Sequence, residues 1–190
     1  NAGQTLESTM QHVDNILLDV EQSSGNIYWK MLSHTRQPEK VALYARKLVE
    51  TSPYITDCTI TWASDTSATD SVFMGWINPE KTKANTITTF RLPIFEGPRT
   101  VGVMDVDVSL ALVSRILLRA KPSPNSFCML LKPDGTIVVH PDTTALNHNV
   151  LDFVKDGDPS MGEAARSMLS GETGYKRVRL DGEAYYVFFK

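Results

Sequence analysis

The sequence predicts an α+β protein in which one long N-terminal helix is followed by two tandem lobes, each built on a small antiparallel sheet. Three observations predict it. Apolar residues recur at heptad spacing from Leu6 to Met31. Residues 87–95 and 100–109 are strand-like runs rich in Thr, Val, Ile and Phe, separated by the turn chemistry of Glu96-Gly97-Pro98-Arg99. The strongest linker signal, Lys121-Pro122-Ser123-Pro124, is followed by a second set of strands and turns.

The helix comes first. Leu6, Met10, Val13, Leu17, Val20, Ile27 and Met31 make a seam whose one polar position is Ser24, inside Ser23-Ser24-Gly25-Asn26, where a kink is expected. A helix of this length spans about 40 Å, and its stripe packs on its own molecule, on a second copy, or on both. Pro38, then Val41, Tyr44, Leu48 and Val49, then Thr51-Ser52-Pro53, describe a second helix with its start and stop. A strand over 54–62 follows. The irregular stretch up to the hairpin, with Phe73, Met74 and Trp76 among Ser, Thr and Asp, has the length of a functional or disordered loop, with 64–70 as its least ordered part.

In the second strand of the hairpin, Gly102, Met104, Val106 and Val108 share one face, and Val101, Val103, Asp105 and Asp107 share the other. One face needs a dry partner. The other carries two carboxylates that an apolar core rejects unless they are paired, so a ligand pocket is expected over it. The strand runs into an amphipathic helix with Leu110, Val113, Leu117 and Leu118 at helical spacing. Past the linker come a strand-turn-strand over 127–131 and 136–140 around Asp134-Gly135, helices over 145–154 and 159–169, and a hairpin whose Asp181-Gly182 turn is of the I′ kind. The chain stops at Lys190 within a strand, so the second lobe reads as truncated and a longer natural protein is expected. The expected domains are the helix at 1–34, a first lobe at 35–121 and a second at 122–190.

Composition narrows the function. A net charge of −3 and a pI near 5.8 provide no basic field for a nucleic acid. No apolar run reaches the ~20 residues of a membrane helix. Cys58 and Cys128 read as free thiols within apolar strands. His12, His34, His140 and His148 show no metal-ligand spacing, so neither a metal nor a cofactor is expected. His140, at a strand end before Pro141, reads as a hydrogen-bonded structural residue.

Several of these pieces resemble one family. TFRLPI at 89–94, VGV at 101–103 leading into DVSL at 107–110, the run from Phe127 to His140-Pro141 with Asp134-Gly135 inside it, Gly171 to Gly174, and the Tyr185-Tyr186 strand are together similar to the double Cache sensor domain, the PAS-like extracytoplasmic module of bacterial sensor histidine kinases and chemoreceptors. The resemblance covers nearly the whole chain through short, degenerate motifs. It implies a membrane-distal lobe that binds a small molecule, a membrane-proximal lobe, flanking membrane helices outside this chain, a periplasmic location and a cytoplasmic output such as a histidine kinase. In members that bind amino acids, the acidic residue matching Asp107 receives the ligand's ammonium. The Arg-x-Trp motif that holds the carboxylate in those members is absent: Met74 precedes Trp76, which instead sits in a Trp-x-x-Pro segment with Pro79.

Asp107 therefore leads the candidate ligand-binding residues, against the competing readings of an exposed strand end or a helix cap, with Ser109 a rival cap. Asp105 is the weaker candidate because Arg91 would satisfy it. A symmetric four-residue loop sets Phe90 opposite Asp105 and Thr88 opposite Asp107, which makes Thr88 the pocket neighbour and removes Arg91 from that face. Trp76 is a candidate aromatic wall, with plain core packing as the competing reading. The expected function is extracytoplasmic small-molecule sensing without catalysis, by a homodimer joined through the N-terminal helix. Two alternatives stand beside it: a non-catalytic adhesion or protein-binding module, and a haloacid-dehalogenase-type phosphatase read from the Asp105-x-Asp107 pattern, which lacks the usual Gly-Thr that follows it.

Overall fold

The structure, a computed structural model, describes residues 1–63, 86–154 and 158–190, together with the backbone of 72–77. Most of the irregular stretch after Trp62, including 64–70 and Pro79, lies outside the described residues. The chain divides into two units, one formed by residues 14–113 and the other by 1–13 with 114–190.

Helix α1, Ala2–Leu32, runs without interruption through Ser24. Ser24 is buried and its position in the seam is occupied like any other. Of the seam, Val13, Val20, Ile27 and Met31 are buried within the chain, and Leu6, Met10 and Leu17 are partly buried. A continuous helix with one apolar stripe is stable chiefly through what the stripe packs on, and here the sheet of its own unit provides this.

In the 14–113 unit, α2, Pro38–Thr51, starts on Pro38 and buries Val41, Ala45, Leu48 and Val49. Four antiparallel strands follow, β1 (Ile55–Trp62), β2 (Val72–Ile77), β3 (Thr86–Glu96) and β4 (Arg99–Ser109), in the order β2-β1-β4-β3. Met104, Val106 and Val108 of β4, with Ile55, Cys58 and Ile60 of β1, are fully buried in one cluster with residues of α1 and α2. The dry face of the sheet is therefore the one that alternation assigned. Pro93 lies in β3, an edge strand where its missing N–H breaks no ladder. Its carbonyl accepts a 2.6 Å hydrogen bond from the Tyr28 hydroxyl of α1.

The β3–β4 register departs from the symmetric expectation for a specific reason. Next to the Gly97-Pro98 turn, Glu96 pairs with Arg99 and Phe95 with Thr100, as that expectation requires. The next pair is Ile94 with Gly102, so Val101 is an extra residue in β4, and its carbonyl accepts from Ala63 N at 2.9 Å instead. One bulge residue exchanges the partners of everything beyond it. Arg91 therefore pairs with Asp105 and Thr89 with Asp107, whereas Thr88 pairs with Val108 and Phe90 with Val106.

Helix α3, Leu110–Arg119, follows β4 directly. In the other unit, β5 (Leu130–Leu131) and β6 (Ile137–Val139) are shorter than the expected strands, and Phe127 is an exposed ring that meets His140 edge-on at 4.8 Å. His140 Nδ1 accepts from the Asp142 backbone N–H at 3.0 Å, the structural role expected of it. The helix expected over 145–154 is replaced by two 3-10 turns, Thr143–Ala145 and Val150–Phe153, with Asn147 between them at φ 65°. The cause is local. Asp142 accepts from Thr144 N, and Asn149 and Asp152 form a reciprocal capping box, so short polar side chains capture backbone groups a longer helix would need. Helix α4 (Ser160–Leu169) and the β7–β8 hairpin (Gly174–Leu180 and Glu183–Phe189) follow as expected, with Asp181 and Gly182 both at positive φ in the turn.

Candidate functional site

The site is the outer face of the four-stranded sheet, opposite the helices. Reading across β1, β4 and β3, its rows are Asp57–Asp107–Thr89, Thr59–Asp105–Arg91 and Thr61–Val103–Pro93. Asp105 and Asp107 are half-buried. They lie on a strand paired on both sides, and neither caps a helix. Thr89 Oγ1 donates to Asp107 Oδ1 at 2.5 Å, and the hydroxyl of buried Thr56, the bulge residue of β1, donates to the Asp107 carbonyl at 3.2 Å.

Arg91 meets Asp105 with two hydrogen bonds, Nε to Oδ1 at 2.8 Å and Nη2 to Oδ2 at 3.1 Å. The hydrogen bond to Asp105, and then its charge, push the guanidinium above its ordinary range. Because Arg91 is exposed, this pair adds little stability; its effect is to cancel the charge of Asp105. The remaining carboxylates are Asp57 and Asp107, side by side across β1 and β4. Burial, then the charge of Asp107, then a hydrogen bond with Asp107 raise the Asp57 carboxyl above its ordinary value. Its Oδ1 is buried and has no hydrogen-bond partner among the described residues. Among the described residues no cation pairs with Asp57 or Asp107, and two carboxylates side by side favour a proton or a ligand's cationic group between them.

The raised Asp57 predicts a definite pH dependence. An acid whose folded-state pKa lies above its unfolded value contributes stability fully present below the unfolded pKa and lost as pH rises through the folded one. Asp57→Asn is therefore expected to be more stable than the parent at pH 7, and the gap should close as pH falls toward the ordinary Asp value of 3.8. Urea unfolding of both proteins at pH 7 and pH 4 measures this, and a gap of unchanged size would contradict it. Asp134, Asp142 and Asp158 are held low by hydrogen bonds from Thr136, Thr144 and Ser160, and they titrate alike in both proteins.

Of the residues singled out from sequence, the register brings Asp107, Asp105 and Arg91 together. It separates Thr88 and Phe90 from them, because both sit in rows of the helix-covered face and Phe90 packs against the core there. Trp76 pairs with Cys58, which in turn pairs with Val106, so its position also belongs to the rows of that face; its side chain lies outside the described residues. Sequence reasoning missed Asp57 and Thr89. The alternation of Asp57, Thr59 and Thr61 against Cys58 and Ile60 was a usable signal for the first.

The phosphatase alternative needs its Asp-x-Asp on a strand that opens a parallel βαβ unit, whereas β4 is antiparallel to both neighbours. Among the described residues, no group of three or more His, Cys, Asp and Glu could hold a metal ion, and no helix is long and apolar enough to cross a membrane.

No protein-family model matches the sequence, and no curated protein is significantly similar to it. Solved structures are similar across the chain. The periplasmic sensory domain of the Campylobacter jejuni chemoreceptor Tlp1 shares 13% identity with a TM-score of 0.68, over 95% of this chain and 85% of that one. The extracellular domain of mmHK1S-Z3, described as that of a histidine kinase, shares 16% with a TM-score of 0.69, over 94% and 83%. The ligand-binding domain of the Pseudomonas aeruginosa PAO1 amino acid chemoreceptor PctC, solved with GABA, shares 16% with a TM-score of 0.65, over 100% and 92%. With its long N-terminal helix and antiparallel sheets, the chain has the fold of these sensor domains, the double Cache fold that its sequence resembles.

Proposed function

We propose that this chain is the extracytoplasmic small-molecule sensing domain of a bacterial transmembrane receptor, a two-component histidine kinase, with no catalysis of its own. In this reading residues 35–121 are the membrane-distal lobe, 122–190 the membrane-proximal lobe, and 1–34 the helix that carries the signal. The observation that supports it most is the Asp57–Asp107 pair, half-buried on the sheet face opposite the helices, in a fold whose solved examples include ligand-binding domains. The partner solved with PctC, GABA, carries an amino group, as does the asparagine solved with Mlp24. In this reading the carboxylate pair receives an ammonium, while Arg91, among the described residues the cation of that face, is already bound to Asp105. The ligand class that fits is a small amine without a carboxylate.

Binding would draw the β3–β4 hairpin over the ligand, and the Tyr28–Pro93 hydrogen bond gives that movement a direct hold on α1. Such a signal requires the ligand to prefer one arrangement by ~1–3 kcal/mol. The homodimer in this reading joins through the N-terminal helix, on which Leu18 and Trp29 are exposed. A thermal-shift panel of alkyl amines, amino acids and simple carboxylates tests the proposal on the parent and on Asp107→Ala. An amine at a hundred times its Kd adds about 2.7 kcal/mol to the parent and nothing to Asp107→Ala. A response to carboxylates alone, or an amine response that survives Asp107→Ala, would refute it.

A further inference from the structure

The β7–β8 hairpin has two unlike faces. Val178 is fully buried among Met161, Ala164 and Ala165 of α4, with Leu180 and Val187 packed beside it, so that side of the hairpin rests on the helix. By alternation and register the opposite face carries Tyr175 beside Phe188, Arg177 beside Tyr186 and Arg179 beside Ala184. Tyr175 and Tyr186 are 65% and 64% exposed, and both arginines are exposed with them. Tyr175 stacks on Phe188 at 5.5 Å and lies 6.5 Å from Tyr186, so the rings form one contiguous patch rather than scattered surface residues. These six positions hold two arginines and no carboxylate, in a chain whose net charge is −3. Asp158, held low first by the hydrogen bonds of Ser160, also feels the charge of Arg179, whereas Arg177 is in no ion pair among the described residues.

We propose that this face docks on an anionic lipid surface. A pair of strands gives a small anion nothing to enclose it, so an extended partner fits better than a soluble ligand. The chemistry of that partner follows from the rows. Tyrosine rings settle where an apolar boundary meets water, ring in and hydroxyl out, and arginine meets phosphate through two parallel hydrogen bonds. Interleaving the two on one face matches a layer of lipid phosphates over acyl chains. A second copy seated by a two-fold axis would instead bring this cationic face against itself, which its charge opposes. The inference stands apart from the sensing reading, because it uses none of the residues of the Asp107 face.

The test is co-sedimentation of the whole 190-residue chain with vesicles of phosphatidylglycerol or of phosphatidylcholine. Saturable binding to phosphatidylglycerol is expected, at least about tenfold tighter than to phosphatidylcholine at about 0.01 M salt and weakened at about 0.15 M, where the screening length is shorter. Arg177→Gln is expected to weaken it about fivefold, and Tyr175→Ser combined with Tyr186→Ser by about tenfold or more. Lys47→Gln removes the same charge from an exposed position of α2 and is expected to leave it unchanged. Absence of saturable binding, equal affinity for the two lipids, or equal losses in Arg177→Gln and Lys47→Gln would each overturn the proposal. So would a dimer of the parent in solution that the paired serine substitutions return to monomer, since it would assign the face to a second copy. Unchanged urea midpoints in each variant show that a lost response is not a lost fold.

Discussion

Met104→Ala is expected to destabilise the protein by about 2–5 kcal/mol, the range for emptying a buried methionine site whose surroundings cannot collapse. Met104 has no exposed surface, pairs with Ile60 and Leu92 across the sheet, and belongs to the cluster built with Val20 and Met31 of α1 and Leu48 of α2. Against a typical domain stability of roughly 5–15 kcal/mol, this one truncation removes a large share. Its neighbour Val103 points to the half-buried outer face, so Val103→Ala is expected to cost clearly less. Urea unfolding of both variants decides the matter. Equal losses would mean that β4 is not two-faced.

Gly102→Ala is the second large effect, expected at about 1–3 kcal/mol, the usual cost of overpacking. A Cβ built at Gly102 would lie 2.8 Å from the Thr61 carbonyl oxygen and 3.0 Å from the Trp62 ring. The carbonyl belongs to backbone and cannot swing aside as a side-chain end would. Sliding β4 by one residue would relieve the clash, but it would carry Asp105 and Asp107 to the helix-covered face, where burying unpaired carboxylates costs more than the overpacking. The register is therefore expected to hold and the strain to appear as lost stability. Lowered urea midpoints with the cross-strand NOEs of Thr89 to Asp107 retained would agree with this. Unchanged stability, or new NOEs pairing Thr88 with Asp107, would not.

These two positions also mark how far the sequence could be read. The face pattern of β4, the length of α1 and the I′ turn at Asp181-Gly182 follow from periodicity and local backbone preference, and all three appear in the structure. The extra residue at Val101 does not follow from either, because a bulge is set by how Ala63 meets Val101 and Trp62 meets Gly102 across strands distant in sequence. Its consequence reached the candidate site directly, exchanging Thr88 and Phe90 for Thr89 and Arg91 beside the carboxylates. Asp57 was hidden for the same kind of reason: its polarity and its face were legible, but its place beside Asp107 depends on β1 pairing with β4. The 3-10 turns at 143–153 were a failure of another kind, in which the side chains of Asp142, Asn149 and Asp152 outcompeted a helix that apolar spacing alone favoured.

The two-faced sheet is tested most directly by thiol labelling at adjacent residues of β1 in a Cys128→Ser background. Cys58 is fully buried on the helix side, with its thiol pushed up to about 12, chiefly by burial, whereas Thr59 lies beside Asp105 on the outer face. Thr59→Cys should react with a small aromatic disulfide in the native protein, be slowed by any amine that raises the melting temperature, and leave Cys58 silent until the chain unfolds. Native-state labelling of Cys58 at the rate of Thr59→Cys, or a Thr59→Cys thiol as protected as Cys58, would contradict the account.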